Sequence, residues 1–291
     1  MNMGSLLSAK VAVITGSSRG LGLSMAQRFA REGAAVVISS RRQQASQQAA
    51  ENLSRQGYSA AACACDVADL QQVEALADYA VRTFGRLDIW VNNAALSSAY
   101  GPTLDIDPRE FERVTRANIF GTYYGSMAAL RRFTAQGSGK LINLVGRGDD
   151  RPAPFQNAYA SSKIWVVWFT RALIQETRHL GVEVHLLNPG LMFTDLVGEV
   201  QAIEGFEDKL RPFETVLRMW GRPPELAAER ALWLASSATD GRTGQYVKVL
   251  TPGIILGGLL REGFRRLFRR PQPRVDIHIA TVPKFTGDQP H

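Results

Sequence analysis

Two hydrophobic periods alternate along this chain, and that rhythm leaves it few folds. Short apolar runs suited to strands occur at 11–15, 35–39, 60–64, 87–91, 140–145, 182–187 and 245–250. Helical periods lie between them, near 20–32, 43–56, 69–84, 108–134, 157–179 and 224–236. Strands separated by helices run parallel and join by right-handed crossovers. The expected class is α/β, a single doubly wound parallel sheet flanked by helices. The 291 residues suffice for one such domain with a large core, over 1–250, with 251–291 as an extension. No internal repeat or second domain is evident.

The first unit also carries the first chemical signal. The run 10–15 ends in Gly16-Ser17-Ser18-Arg19-Gly20-Leu21-Gly22, and a helical pattern follows from Leu23. A strand, a glycine-rich turn and a helix N-terminus make a phosphate site: the glycines admit close backbone approach, and free N–H groups with the helix dipole attract an anion. Farther on, Tyr159-Ala-Ser-Ser-Lys163 places a phenol and an ammonium four residues apart, on one face of a helix. An ammonium beside a phenol favours the phenolate, and a phenol so tuned exchanges a proton with a carbonyl oxygen or an alcohol. Alone, such a pair is common on solvated helices.

Together these motifs resemble the short-chain dehydrogenase/reductase family of single-domain, Rossmann-type enzymes. The matching residues are Thr15-Gly-Ser-Ser-Arg-Gly-Leu-Gly22, Asn92-Asn-Ala-Ala95, Asn118, Tyr159-x3-Lys163 and Pro189-Gly190-x3-Thr194, in family order over roughly 8–250. The resemblance implies a nicotinamide dinucleotide and hydride transfer. It makes Tyr159 the acid/base, and it has Lys163 bond the nicotinamide ribose and lower the tyrosine pKa. Asn118 would hold a water in a proton relay, against a purely structural role at a helix kink before Gly121. Asp66-Val67 resembles the adenine-contacting pair and Asn92 with Ala94 the ribose-side wall, while Pro189, Gly190 and Thr194 would flank the carboxamide.

At the end of the second strand, where an acidic residue would bond the adenine ribose, the chain has Ser40 followed by Arg41. With Arg19 in the glycine turn, these residues suit a 2′-phosphate, so NADP(H) is the expected cofactor. One position departs from the family. Its catalytic serine, thirteen residues before the tyrosine, is here Gly146. A donor to a developing oxyanion contributes roughly 3 kcal/mol; nearby replacements are Arg147, Asn143, Asp149 and Asp150. Arg147 would bind a keto or anionic substrate, or pair with Asp149 or Asp150. Restoring a hydroxyl at 146 is expected to speed turnover of simple ketones. Two functions compete: an NADPH-dependent reductase, and a cofactor-binding protein of this fold with lost chemistry.

Net charge is +7, from 34 basic and 27 acidic residues, but 251–291 alone carries seven basic against three acidic. The body is nearly balanced and shows no basic stripe with stacking aromatics, so nucleic acid is not an expected partner. Two cysteines, Cys63 and Cys65, cannot close a zinc site, and no metal is expected. With no signal-like N-terminus and no stretch long enough to span a bilayer, a cytoplasmic protein is expected. Aromatics in 191–222 suggest a lid over a sizeable hydrophobic ligand. Trp165 and Trp168 suit the core or a subunit contact, and family pairing through 108–134 and 157–179 implies a homodimer or homotetramer. In the tail, Leu256, Leu260, Phe264 and Leu267/Phe268 recur at helical spacing, with Arg261, Arg265, Arg266, Arg269 and Arg270 on the other side. Such a helix over 254–270 lies on an anionic membrane, docks a partner or packs on its own subunit. Pro271 and Pro273 end it, and a short strand is expected at 275–280.

Overall fold

The computed structural model describes residues 5–194, 198–268 and 277–287. The expected residues 269–276, with Arg269 to Arg274 and the start of the 275–280 strand, lie outside them.

Seven parallel strands form the sheet, in the order β3-β2-β1-β4-β5-β6-β8. They are β1 (Val11–Thr15), β2 (Ala35–Ser40), β3 (Ala60–Ala64), β4 (Ile89–Asn92), β5 (Gly139–Leu144), β6 (Val182–Asn188) and β8 (Tyr246–Lys248). Strand order reverses between β1 and β4, which opens a crevice at the carboxyl ends of those strands. Alternation within each strand splits the core into two layers. Ala12, Ile14, Ile38, Val91, Ile142 and Leu187 pack under α1 (Gly20–Arg31), α2 (Gln43–Arg55) and α8 (Pro224–Ala235). Val11, Val13, Val37, Trp90, Leu141 and Val184 pack under α3 (Leu70–Phe84), α5 (Gly121–Gln136) and α6 (Asn157–Glu176).

The helical period expected over 108–134 is broken. Helix α4 (Pro108–Thr115) passes through a π-turn at Arg116–Phe120 before α5 begins. The Thr122 hydroxyl, in the first turn of α5, donates back to the Asn118 carbonyl of the widened turn at 2.7 Å. Such turns put one extra residue into a helix and often sit at functional sites. The lid segment holds β7 (Glu199–Ile203) and α7 (Pro212–Trp220). The tail forms α9 (Pro252–Leu267) and then β9 (His278–Val282), which pairs in parallel with β7 in a second, two-stranded sheet. The extension is therefore stitched to the lid: Ile277 and Ile279 pack with Val200, Ala202 and Tyr100.

A buried amide chain locks the centre. The Trp90 indole donates to Asn92 Oδ1 (2.7 Å), Asn92 Nδ2 donates to Asn143 Oδ1 (2.8 Å), and Asn143 Nδ2 donates to Thr170 Oγ1 (2.9 Å). Helix α5 reaches this chain only because residue 125 is glycine, where an added Cβ would run into Asn92 Oδ1 and lie 2.7 Å from Trp90 Nε1. Gly125→Ala should therefore destabilise the fold by about 3 kcal/mol, the upper range for overpacking a rigid core. Urea unfolding of the variant beside the parent checks this, and an unchanged midpoint would show the packing to be loose.

Candidate active site

The glycine turn lies at the crevice between β1 and β4. Gly16 has φ +65° and Gly20 φ +58°, both left-handed, where side chains are disfavoured. A Cβ on Gly16 would meet Ala94 Cα at 2.9 Å, and one on Gly22 would meet Asn93 Nδ2 at 2.6 Å. The turn is a cradle that any larger residue would fill. Ser17 is buried and spent on structure, donating to the Ile14 carbonyl (2.6 Å) and accepting from the Ser39 amide (2.9 Å). Arg19 caps α1 with extended backbone and no side-chain cap, and the first turn holds no acid. The α1 amides thus face outward with no carboxylate to compete for them, which fits a dinucleotide phosphate. Ser18 is half-buried in the turn, and Leu21 packs on the core. Thr194 closes the cradle from above, its Cβ 3.6 Å from where a Cβ on Gly20 would stand.

Of the expected ribose-side wall, Ala94 lies on the turn and donates its amide to Thr15 Oγ1 at 3.0 Å. Asn92 does not present its side chain there. Its amide is consumed inside the core by Trp90, Thr122, Ser126 and Asn143, so only its backbone is left for a ligand. The side chain that holds the turn belongs to Asn93, which donates to the carbonyls of Thr15 (2.9 Å) and Gly16 (3.1 Å). At the end of β2, Ser40 shares its hydroxyl with Ser46 (2.8 Å), and Arg41 is exposed. Thr15 and Ser39 are register partners, so Arg19 and Arg41 follow from neighbouring strand ends. Asp66 accepts the Ala68 amide (3.0 Å), and Val67 is buried under Gly121. Gly190, at φ +72°, donates its amide to Asn188 Oδ1 (2.8 Å) and shapes the Pro189-Gly190 turn.

Tyr159 and Lys163 stand on the first two turns of α6. The Lys163 ammonium is buried, donates to the Leu144 carbonyl (3.3 Å) and lies 5.4 Å from the Tyr159 ring centre. Burial alone pulls its pKa down to about 8. The Tyr159 phenol moves up, not down: burial dominates, and the nearby Tyr100 and Asp149 add to it. The expected lowering by Lys163 does not appear: its amine is bonded to Leu144 and itself desolvated.

Asn118 is fully buried and its side chain is satisfied by protein. It accepts the Leu96 amide (2.8 Å) and donates to the Leu96 carbonyl (3.0 Å) and to Ser162 Oγ (3.0 Å). Ser162 in turn donates to the Tyr159 carbonyl at 2.6 Å. The side chain clamps α6 to the loop after β4, from within the π-turn.

At Gly146 an added Cβ would lie 2.5 Å from Tyr159 Oη. A serine there would press on the end of the Tyr159 side chain, so the expected gain from Gly146→Ser requires the phenol to shift. The expected replacements also sort themselves. Asn143 is consumed by the buried amide chain. Asp149 is buried and held by Tyr246, Asn188 (2.9 Å) and Lys248 (2.9 Å), and Asp150 pairs with Lys248 (3.1 Å). Burial works to raise the Asp149 pKa, but these bonds outweigh it and hold the carboxyl below its usual range. With both acids taken, Arg147 has no carboxylate partner among the described residues and stands beside Tyr100, where its charge opposes the upward push of burial on that phenol. Sequence gave no sign of Tyr100. Its place is set by β7, whose Gln201 carbonyl accepts the Tyr100 amide at 2.8 Å.

The comparisons agree with this geometry. The family model described as short chain dehydrogenase matches residues 10–205. A 3beta-hydroxysteroid dehydrogenase of Eggerthella lenta is 34% identical over 86% of this chain and 98% of its own. A gluconate 5-dehydrogenase from Burkholderia cenocepacia, solved with NADP and tartrate, superposes with TM-score 0.76 at 29% identity, covering 89% of this chain and 98% of that one. A 3-ketoacyl-(acyl-carrier-protein) reductase from Brucella melitensis, solved with NADH, gives TM-score 0.73 at 32% identity, covering 84% and 97%. With the glycine cradle, the Tyr159–Lys163 pair and the reversed strand order all in place, the chain belongs to the short-chain dehydrogenase family of oxidoreductases.

Proposed function

We propose that the protein is an NADP(H)-dependent oxidoreductase that reduces a carbonyl, or oxidises the matching alcohol, on a hydrophobic small molecule. The observation that carries this is the Tyr159 hydroxyl seated against Gly146 beside the buried Lys163, on the carboxyl side of the sheet with the glycine cradle. Gly16, Ser18, Arg19, Gly20, Leu21 and Gly22 would hold the pyrophosphate, and Ser40 with Arg41 the adenine ribose and its 2′-phosphate. Asp66, Val67, the Asn92 backbone and Ala94 would wall the adenosine side. Pro189, Gly190 and Thr194 would flank the nicotinamide end. When bound, the cofactor supplies the hydride.

The chain supplies the proton. A phenol whose pKa burial holds up stays protonated across the neutral range, so Tyr159 Oη is a donor to a carbonyl oxygen and a poor base for an alcohol. This favours reduction in the resting site. Arg147, with Tyr100 beside it, takes over the hydrogen bonding lost at residue 146 by facing the developing oxyanion. Lys163 holds its ammonium for ribose hydroxyls. Asn118 and Ser162 keep α6 in place, and Asn118 supports the proton path through that positioning.

The NADP preference is supported by the missing acid at residue 40 and by Arg19 and Arg41; the solved relatives carry NADP in one case and NADH in another. Phe155 and Phe193, each 45% exposed, favour an apolar substrate, in keeping with the likeness to a hydroxysteroid dehydrogenase. The exposed Tyr123 and Trp168 on α5 and α6 suit pairing of two subunits there. Cys63 and Cys65 are free, the latter pushed up to about 12 by burial, as suits a reducing cytoplasm.

Three outcomes follow from this site. Tyr159→Phe should abolish NADPH-dependent turnover in a carbonyl screen while NADPH still binds with nearly parental affinity; parental turnover would move the assignment to a cofactor-binding protein. Arg41→Asp should erase or reverse a preference for NADPH over NADH in dissociation constants, and a parent that binds both equally refutes the 2′-phosphate reading. The reduction rate at saturating NADPH should be flat from about pH 6 to 7, since the raised phenol keeps its proton there. It should then fall with a midpoint at about 8 as Lys163 loses its charge. A decline centred below pH 7 would mean a depressed tyrosine pKa.

A further inference from the structure

A buried carboxylate lies between the turn beside Tyr159 and the turn after β6. Asp149 is 7% exposed, and its Oδ2 accepts from the Tyr246 hydroxyl, the Lys248 ammonium (2.9 Å) and the Asn188 amide (2.9 Å). Tyr246 and Lys248 both come from β8. Burial, and after it the Asp149 carboxylate, push the Tyr246 phenol above its usual pKa, so its hydroxyl stays a donor. Asn188 ends β6 and passes the contact on. Its Nδ2 donates to Asp149 while its Oδ1 accepts the Gly190 amide at 2.8 Å. A carboxamide held through its nitrogen has its oxygen fixed as well, so Asp149 decides which way the Asn188 oxygen faces. Gly190 has φ +72° and packs on Leu250, whose Cγ lies 2.5 Å from where a Cβ would stand.

The backbone of the same residue is tied to the surroundings of the proton donor. The Asp149 amide donates to the Gly146 carbonyl at 3.2 Å, and a Cβ on Gly146 would lie 2.5 Å from Tyr159 Oη. Gly148, between them, sits so close to α6 that a Cβ there would meet Ala160 Cα at 2.7 Å. Side chain and backbone of Asp149 thus join the turn beside Tyr159 to the Pro189-Gly190 turn. Stability alone does not account for a buried carboxylate, because desolvation offsets much of its attraction to Lys248; what the ion pair adds is a fixed geometry. Hydride transfer needs such geometry, since the proton donor and the hydride-bearing ring must meet one carbonyl group together. We infer that Asp149 is a positioning residue for the nicotinamide end of the cofactor, holding the Asn188–Gly190 turn in register with Tyr159. The inference rests on the proposed seating of the nicotinamide against Pro189 and Gly190.

The test is titration calorimetry of the full-length protein with each dinucleotide and with the same molecule lacking its nicotinamide: NADPH against 2′-phospho-ADP-ribose, and NADH against ADP-ribose. In the parent the intact dinucleotide should bind more tightly than its fragment. Asp149→Ala should weaken the dinucleotide by about tenfold, the scale of one lost charge-assisted hydrogen bond, and leave the fragment at its parental affinity. Asn188→Ala breaks the same link while Tyr246 and Lys248 still satisfy Asp149, so it should give the same selective loss even where Asp149→Ala does not fold. Parental binding of the fragment shows that the glycine cradle is intact and separates positioning from general damage. A parent that binds neither dinucleotide overturns the cofactor reading and the inference with it. A parent that prefers the intact dinucleotide, with Asn188→Ala keeping that preference, overturns the inference alone. So does an equal loss for dinucleotide and fragment, or a parent that binds the two alike.

Discussion

The contact between Asn92 and Asn143 is the constraint on which the rest of this site depends. Each amide is buried at the carboxyl end of a central strand, where an unpaired polar group is expensive, and each is satisfied by the other and by the flanking helices. Asn143 reaches Thr170 on α6. Lys163 precedes Thr170 by seven residues, two helical turns, and so lies on the same inward face. The strand ends thus fix the helix, and the helix fixes the amine. Asn118 repeats the device one layer out, holding α6 to the loop after β4 through Ser162 and Leu96. The placement of Tyr159 and Lys163 is thus set by side chains buried in the core.

Burial then sets the protonation states. It acts in opposite directions on the two functional groups, raising the phenol and lowering the amine, so both are driven toward their neutral forms. The Asp149 carboxylate adds to the upward push on Tyr159, and Asp149 stays charged only because Tyr246, Lys248 and Asn188 hold it. Burial thus keeps the proton on the Tyr159 oxygen. Charge that later enters, on a cofactor or a substrate, meets groups already desolvated, where electrostatic effects are larger than in water.

The sheet was legible because strand and helix periods differ and because parallel connections have one hand. The glycine turn and the Tyr159–Lys163 spacing were legible for the same kind of local reason. Asn92 and Asn93 were not separable by type. One ends β4 with its side chain turned into the core, the next falls beyond the strand and reaches the turn, and only the strand's end decides which is which. The pairing of β7 with β9 was invisible, because short parallel partners far apart in sequence leave no periodic trace. Nor was the fate of Asp149 and Asp150 readable. Local spacing suggested Arg147 as their partner, whereas the partner is Lys248, brought in by β8.

Gly146 is where these strands of reasoning meet. Read as a missing serine, it is a lost donor. In space it is the position that lets the Tyr159 hydroxyl approach the backbone, since even a methyl group there would lie 2.5 Å from Oη. A side-chain donor at 146 would require the phenol to shift. Arg147, one residue on, is without a carboxylate partner among the described residues, and Lys248 pairs with both nearby acids. Tyr100 stands with it, and Tyr100 is bound on both sides of its backbone to β7, through Gln201 and Ile203. Strand β7 is in turn completed by β9 from the far end of the chain. Tyr100 is therefore held by the lid strand, while Tyr159 is carried by α6. The surroundings of Tyr100 and of Tyr159 thus draw on segments far apart in sequence, and Gly146 is the point where the backbone after β5 meets the Tyr159 hydroxyl.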